Sequence, residues 1–371
     1  VTQIEEFQPA HRSDVLSLYR DVFGTWSAER FAARWDWQFA ANPFVAERKP
    51  LIQVALENGR LIGHLASFPI PLRLQGRRKI ALCASDFVVD GRHPMAAAAM
   101  FRSLLRQSPI LATGFGTPAE SMLRLSGATL LPASSVSCSF RIRSIGALRR
   151  ALKRRLPSRL SFLAAPLFAR PLAQWWKKQD PPPRREPRLS PQGGPVRTFL
   201  RFTAEHEEFW TEVSAGRGGG VDKDARYMNW RYAEGPARSL IFLELRGEDD
   251  RLRGITIGGV RADLHEHVPC GTTGVVCEFW VRPGDDDAAR RLAFGILERL
   301  DVSEVDGVHI PGVPGPIQGV LVGSGFVRSE SKEYQVAIKA DPGDLAPAAA
   351  TDPENCWASA GDGDMLLTTM L

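Results

Sequence analysis

An aspartate stands in the middle of an apolar strand. In the run Cys83-Ala-Ser-Asp-Phe-Val-Val, Asp86 is the one charged residue of an otherwise largely apolar strand. Burial there would lift its pKa toward the range a general base needs. His64, in the preceding apolar run, is a candidate partner. The strand continues into Asp90-Gly91-Arg92-His93-Pro94 and a helical stretch from Met95. Such a turn combines a helix N-terminus, a cation and a glycine, and its backbone N–H groups can hold phosphate oxygens. Proton transfer beside a phosphate-bearing ligand is the chemistry these residues could support. A structural carboxylate is the competing reading of Asp86, because Glu278 occupies the matching place later in the chain.

That matching place exists because the sequence is written twice. Arg34 to Pro43 reads RWDWQFAANP, and Tyr227 to Pro236 reads YMNWRYAEGP. Trp37 falls on Trp230, Phe39 on Tyr232 and Pro43 on Pro236, an offset of 193 residues. The agreement continues through LIQVALENGRLIGH from Leu51 against LIFLELRGEDDRLRGIT from Leu240. SDFVVDGRHP from Ser85 then meets CEFWVRPGDD from Cys277. A period this long marks two copies of a whole domain, not a solenoid of short repeats. The expected layout is a first domain over 1–145, a connector over 146–195, a second domain over 196–340 and a tail over 341–371.

At 371 residues the length suits two domains, each able to bury its own core. The net charge of +5 hides a division. Between Arg141 and Arg188, 14 Lys and Arg face only Asp180 and Glu186, so the rest of the chain is acidic. This connector also carries Pro181-Pro182-Pro183 and Gly193-Gly194. Its stretch 145–178, basic and with Trp175 and Trp176, could lie on an anionic membrane surface. The alternative is a helix that packs its Leu face on a domain and solvates its Arg face. No base-reading motif accompanies the charge, so nucleic acid is not an expected partner. No basic segment followed by an apolar stretch opens the chain, and no apolar run of about 18 residues appears. The expected location is cytoplasmic, peripheral to the inner membrane face if the connector makes that contact. The five cysteines form no CxxC and read as buried free thiols.

Within the first copy the patterns predict a short strand, a helix with Val15, Leu18, Tyr19 and Val22 on one face, and a second helix through Trp37. Strands follow over Ile52 to Leu56, Leu61 to Leu72 and Ile80 to Val89, with turns at Asn58-Gly59 and Gln75-Gly76. A helix from Met95, a strand from Ile110, a helix over Ala119 to Leu125 and a last strand pair near Arg143 complete it. The second copy repeats this order from Thr198 to about Ala340. This is an α/β layout with a mixed sheet.

In order and spacing, and above all at the strand–turn–helix step, both copies resemble the GNAT superfamily of acyl-CoA-dependent N-acyltransferases. The resemblance implies two tandem GNAT-like domains, each a mixed, mostly antiparallel sheet flanked by helices. In that family the turn R/Q-x-x-G-x-G/A holds the pyrophosphate of coenzyme A on backbone amides. Its positions fall here on Arg92, Met95 and Ala97, with Met95 in place of the glycine. The implied donor site is Val88, Val89, Gly91, Arg92, Met95, Ala96 and Ala97, taking acetyl-CoA or another acyl-CoA. Asp86 and His64 become the candidates for deprotonating the acceptor amine. The tyrosine that many members use to protonate the leaving thiolate is replaced by Leu123 in one copy and Leu321 in the other. The second copy's turn, Arg282-Pro-Gly-Asp-Asp-Asp287, sets three carboxylates where a pyrophosphate would sit, and such repulsion costs kilocalories.

The resulting expectation is acyl transfer to an amine or hydroxyl of a small-molecule or saccharide-like acceptor, with the first copy binding the donor. Fem-type aminoacyl or long-chain acyl transferases also carry two such domains and are the alternative enzyme reading. A non-catalytic pseudo-acyltransferase is the third. His265-Glu266-His267 reads as a polar hairpin tip, and no metal is expected. The tail residues Trp357, Asp362 and Asp364 either fold back over a cleft or are solvated.

Overall fold

A computed structural model describes residues 2–23, 28–131, 136–141, 194–237, 240–265, 268–300, 305–313, 315–330, 335–344, 356–357, 359 and 362. The candidate membrane-contact stretch 145–178, the hairpin tip at 266–267 and Asp364 lie outside them. Among the described residues, no helix is long and apolar enough to cross a membrane.

The first repeat opens with β1 (Thr2–Glu6), α1 (Arg12–Phe23) and α2 (Ala28–Trp35), which runs into a π-helical turn at Asp36–Ala40. Val15, Leu18 and Tyr19 recur at helical spacing, and all three are buried. A meander of β2 (Leu51–Glu57), β3 (Arg60–Leu74) and β4 (Arg77–Val89) follows. Its two turns place Asn58 and Gly59, then Gln75 and Gly76, at positive φ. That geometry matches the twist of the flanking strands and is why Asn-Gly marks a hairpin so reliably. α3 (Pro94–Leu105) leads to β5 (Ile110–Thr113), parallel to β4, then to α4 (Thr117–Leu125), β6 (Thr129–Leu130) and β7 (Val136–Arg141).

The second repeat retraces this path. It runs β8 (Val196–Thr198), α5 (Ala204–Val213), β9 (Gly219–Val221), α6 (Ala225–Met228) and a π-helical turn at Asn229–Ala233. Then come β10 (Ile241–Arg246), β11 (Leu252–His265), β12 (Val268–Val281) and α7 (Asp286–Arg299). β13 (Gly307–Pro311), α8 (Gly315–Gly323), β14 (Val327–Glu330), β15 (Val336–Lys339) and, in the tail, β16 (Cys356–Trp357) complete it.

The last strand of each repeat crosses over. The first sheet runs β1-β2-β3-β4-β5-β15-β6, and the second runs β14-β7-β13-β12-β11-β10-β8. β15 therefore lies between β5 and β6 of the other repeat, and β7 lies between β13 and β14. The strand pair expected near Arg143 thus does not close its own sheet, and 1–145 and 196–340 interlock. Both strands are flanked on two sides, which satisfies their backbone groups. Val336, Ala337 and Ile338 are buried in their borrowed sheet, as Cys138 is in its own.

The largest core is shared. Trp37, Phe68 and Leu72 of the first repeat pack in one cluster with Trp230, Tyr232 and Trp280 of the second. At its centre the Trp37 and Trp230 rings stack, with centroids 4.9 Å apart and planes at 17°. The Trp37 indole N–H donates to the Trp230 carbonyl at 2.9 Å, and the Trp230 indole returns the bond to the Trp37 carbonyl at 3.1 Å. This reciprocity is the signature of a two-fold contact, here made within one chain by the two copies of one motif.

Candidate functional site

Each repeat has a bulge in its central strand with a carboxylate at or beside it. β4 pairs regularly with β3 up to Ser85 opposite Ala66 and resumes with Val88 opposite His64. Asp86 and Phe87 together face Leu65 alone, and Asp86 takes φ 48°. The extra residue frees the local backbone from the ladder and re-aims the side chains. Asp86 receives a hydrogen bond and a charge from the Arg34 guanidinium of α2, and each side chain is only 6% exposed. Asp86 is therefore committed to an ion pair rather than open to a substrate amine.

His64 is fully buried among Phe7, Tyr19 and Trp35. Its Nδ1 lies 3.4 Å from the Tyr19 hydroxyl, and its ring also faces the backbone of Asp86. Burial, reinforced by the Arg34 charge, lowers its pKa to about 3. The imidazole is neutral at neutral pH and is a weak proton acceptor.

The turn after β4 is built largely on its own residues. Asp90 accepts from Arg92 at Oδ1 (3.0 Å) and Oδ2 (2.5 Å), and from the Arg92 backbone N–H at 3.1 Å. These bonds hold the Asp90 carboxyl well below the usual carboxylate range. The N–H groups of His93, Ala96 and Ala97 bond within the turn and the first helical turn. Pro94 has none to offer, so the amides of Gly91 and Met95 are those left for a ligand. Ala96 packs into the core below α3, and Val88 packs toward α1, so neither candidate offers its side chain to a ligand. Met95 is 73% exposed. No side chain caps the N-terminus of α3. Beside it opens a groove of about 560 Å³, walled by Asp14, Ser17 and Asp21 of α1, Arg60 of the hairpin turn, and Asp90 and Arg92. That volume lies within the usual range for small-molecule sites.

The second repeat fills the same two places. Asp285 caps α7 by accepting from the Ala288 N–H at 3.1 Å. Arg253 grips it at 2.6 and 2.9 Å and reaches Asp287 at 3.3 Å. The positive end of this helix thus already holds a carboxylate, and the three aspartates are neutralised from within. Glu278, beside the extra residue Cys277 on β12, meets four donors. They are Lys223 (2.6 and 2.7 Å), Tyr232 (2.6 Å), Trp280 (2.8 Å) and Ser359 (2.8 Å). Lys223 also forms an ion pair with Asp362 at 2.8 Å. Lys223 and Glu278 are wholly inaccessible, and burial raises the Glu278 pKa against the opposing pull of Lys223.

The tail therefore folds back. β16 extends the first sheet through β9, while Ser359 and Asp362 close the Lys223–Glu278 cluster of the second repeat. Sequence reasoning missed Lys223, Ser359 and Arg34. Only Arg34 left a signal, lying three residues after Phe31 on the buried stripe of α2.

No protein-family model and no curated protein matches the chain. Solved structures do. A conserved protein of Enterococcus faecalis, described as a probable N-acyltransferase, aligns with a TM-score of 0.52 at 11% identity, over 91% of this chain and 72% of that one. A tandem GNAT protein from the clavulanic acid biosynthesis pathway aligns at 0.51 and 12% identity, over 91% and 98%. Saccharomyces cerevisiae N-myristoyltransferase with bound myristoyl-CoA aligns at 0.52 and 10% identity, over 97% and 88%. At such identities the likeness speaks for architecture alone, and the architecture is plain: this chain is two GNAT folds in tandem, with their last strands exchanged.

Proposed function

We propose that the protein transfers an acyl group from an acyl-CoA-type donor to an amine, using the first repeat. One observation carries the reading. The helix following the bulged central strand has no capping side chain in the first repeat, whereas Asp285 occupies that position in the second. An uncapped helix N-terminus beside Arg92 is where a pyrophosphate gains most from free N–H groups and the helix dipole. The peptide groups at Asp86 and Phe87, released from the ladder by the bulge, would receive the thioester oxygen as negative charge develops on it. The acceptor nitrogen forms the new C–N bond as the C–S bond breaks. Its proton leaves to solvent or a nearby base, and the departing thiolate takes one from water. The groove's aspartates suit an acceptor that arrives as an ammonium ion, such as a small amine or an amino sugar.

Thermal unfolding with and without acetyl-CoA and a long-chain acyl-CoA tests this. A donor at 100 times its Kd should stabilise the fold by about 2.7 kcal/mol. No shift with either donor sinks the reading. A second reading, binding without turnover, is favoured by the engagement of Asp86 with Arg34 and the burial of His64. It predicts the stabilisation but no free thiol release in the presence of amines.

A further inference from the structure

We propose that Arg34 and Asp86 form a backbone clamp: Arg34 is a positioning residue that holds Asp86 in the left-handed region, so that the following peptide groups face the donor. The proposal rests on acyl transfer at the first repeat and assigns Asp86 a role other than proton transfer.

Three observations converge on it. Asp86 is a non-glycine residue at φ 48°, a conformation that asparagine and aspartate visit more readily than other residues but still at a cost. It sits at the one place where β4 leaves its ladder with β3, so nothing in the strand pairing fixes its backbone. Its carboxylate is anchored instead by a guanidinium from another element, α2, and both side chains are almost completely buried. A buried charge must be paired, and here the pairing also sets a dihedral angle. The next residue, Phe87, lies 39% exposed and leans on Phe101 of α3, with ring centroids 5.5 Å apart. The clamp thus ties α2 to the strand on one face while Phe87 ties the same bulge to α3 on the other.

The second repeat supplies a control. Its bulge carboxylate, Glu278, is likewise neutralised by a cation from outside the strand, Lys223. Neither Glu278 nor Cys277 takes positive φ. A buried pair is thus common to both repeats, and the left-handed residue belongs to the one with the uncapped helix.

Glycine separates a clamp from a base, because it adopts positive φ without steric penalty and carries no carboxylate. The double variant Arg34→Met/Asp86→Gly removes both charges together, so no charge is left buried alone. If the pair is a clamp, the double variant turns over at least about threefold faster than Arg34→Met alone, because glycine adopts the left-handed geometry without the pair. Arg34→Met alone loses tenfold or more, which is about 1.4 kcal/mol. The acidic limb of the kcat/KM–pH profile stays in place in the double variant. A folded double variant with turnover down about 100-fold, or with that limb gone, overturns the proposal and returns Asp86 to the role of base. Hydrogen exchange at the Phe87 and Val88 amides reads the clamp without activity. Exchange should quicken in Arg34→Met and recover in the double variant, and equal exchange in all three proteins also overturns it. Should the double variant not fold, Arg34→Lys takes its place, since Lys223 shows that lysine can neutralise such a carboxylate. Wild-type exchange and near-wild-type turnover support the clamp; wild-type exchange with lost turnover refutes it. Donor binding by the wild-type protein is scored separately, so failure of acyl transfer and failure of the clamp are distinguishable.

Discussion

The two helix N-termini that follow the central strands are the same piece of architecture put to opposite uses. α7 begins with Asp285, whose carboxylate takes the Ala288 N–H and is held by Arg253. α3 begins with His93 and Pro94, has no side-chain cap, and opens on a groove. The central strands differ in the same sense. Around Glu278, every direction is taken by Lys223, Tyr232, Trp280 or the tail. Around Asp86 a single ion pair does the work, and Phe87 next to it reaches solvent. Duplication supplies two copies of one site. Under the proposed function, the repeat filled with internal charges serves as a brace and the other meets the ligand.

If the second repeat is a brace, breaking its charge cluster should damage the fold more than any change at the first. Lys223→Met leaves Glu278 and Asp362 in a closed core without their cation. Removing one partner of a buried pair costs about 3–5 kcal/mol, and the expected outcome in urea unfolding is a loss of that size. A Lys223→Met protein within about 1 kcal/mol of wild type would mean that the cluster is soft or hydrated, and the contrast between the repeats would fail.

The next effect concerns the turns. Arg92→Glu should weaken acyl-CoA binding about 10–100-fold, or 1.4–2.7 kcal/mol, because it sets a negative charge beside the uncapped helix. Arg253→Glu should leave donor affinity unchanged while lowering stability, since Arg253 serves only the aspartates of its own turn. Isothermal titration of both variants decides the matter. The reverse pattern would transfer the donor site to the second repeat.

Much of this contrast could be read from the chain. Trp37 and Trp230 announced the duplication, and they occupy equivalent π-helical turns. Asn58-Gly59 fixed a hairpin through a conformation few other pairs adopt. The three aspartates after Gly284 signalled a turn unlike its counterpart. The strand exchange could not be read, because β7 and β15 are six and four residues long. A short apolar run such as Val336-Ala-Ile says that a strand is buried, not which sheet receives it. Lys223 and Ser359 were equally silent, for they meet Glu278 across 55 and 81 residues of sequence and no local periodicity spans such a distance. Arg34 was legible in principle from its phase on α2. A charged residue on an apolar stripe asks for a buried partner, and Asp86 was already in view.

The smallest predicted effect is a difference in sign between the repeats. In the first, burial and the Arg34 charge depress His64 to about 3. An unfolded chain would protonate the imidazole near its ordinary value of about 6.5. Between those values the unfolded state binds the extra proton, so the stability linked to His64 is complete above about pH 6.5 and drains away as the pH falls. The slope approaches about 1.4 kcal/mol per pH unit, and the loss by about pH 5.5 is of that same size. Glu278 works the other way. Its pKa is raised by burial, so the folded state holds the proton longer, and its contribution falls as the pH rises above the ordinary carboxylate value. Around His64 the other charged groups are Arg34 and Asp86, and Tyr19 is its hydrogen-bonding neighbour. His64→Leu removes the titrating group while keeping an apolar side chain in an aromatic pocket. Its urea-derived stability between pH 5.5 and 6.5 should lose the upward slope that wild type shows, leaving a flat or declining trace set by Glu278. An unchanged slope in His64→Leu would place the acid sensitivity elsewhere and remove this distinction between the two repeats.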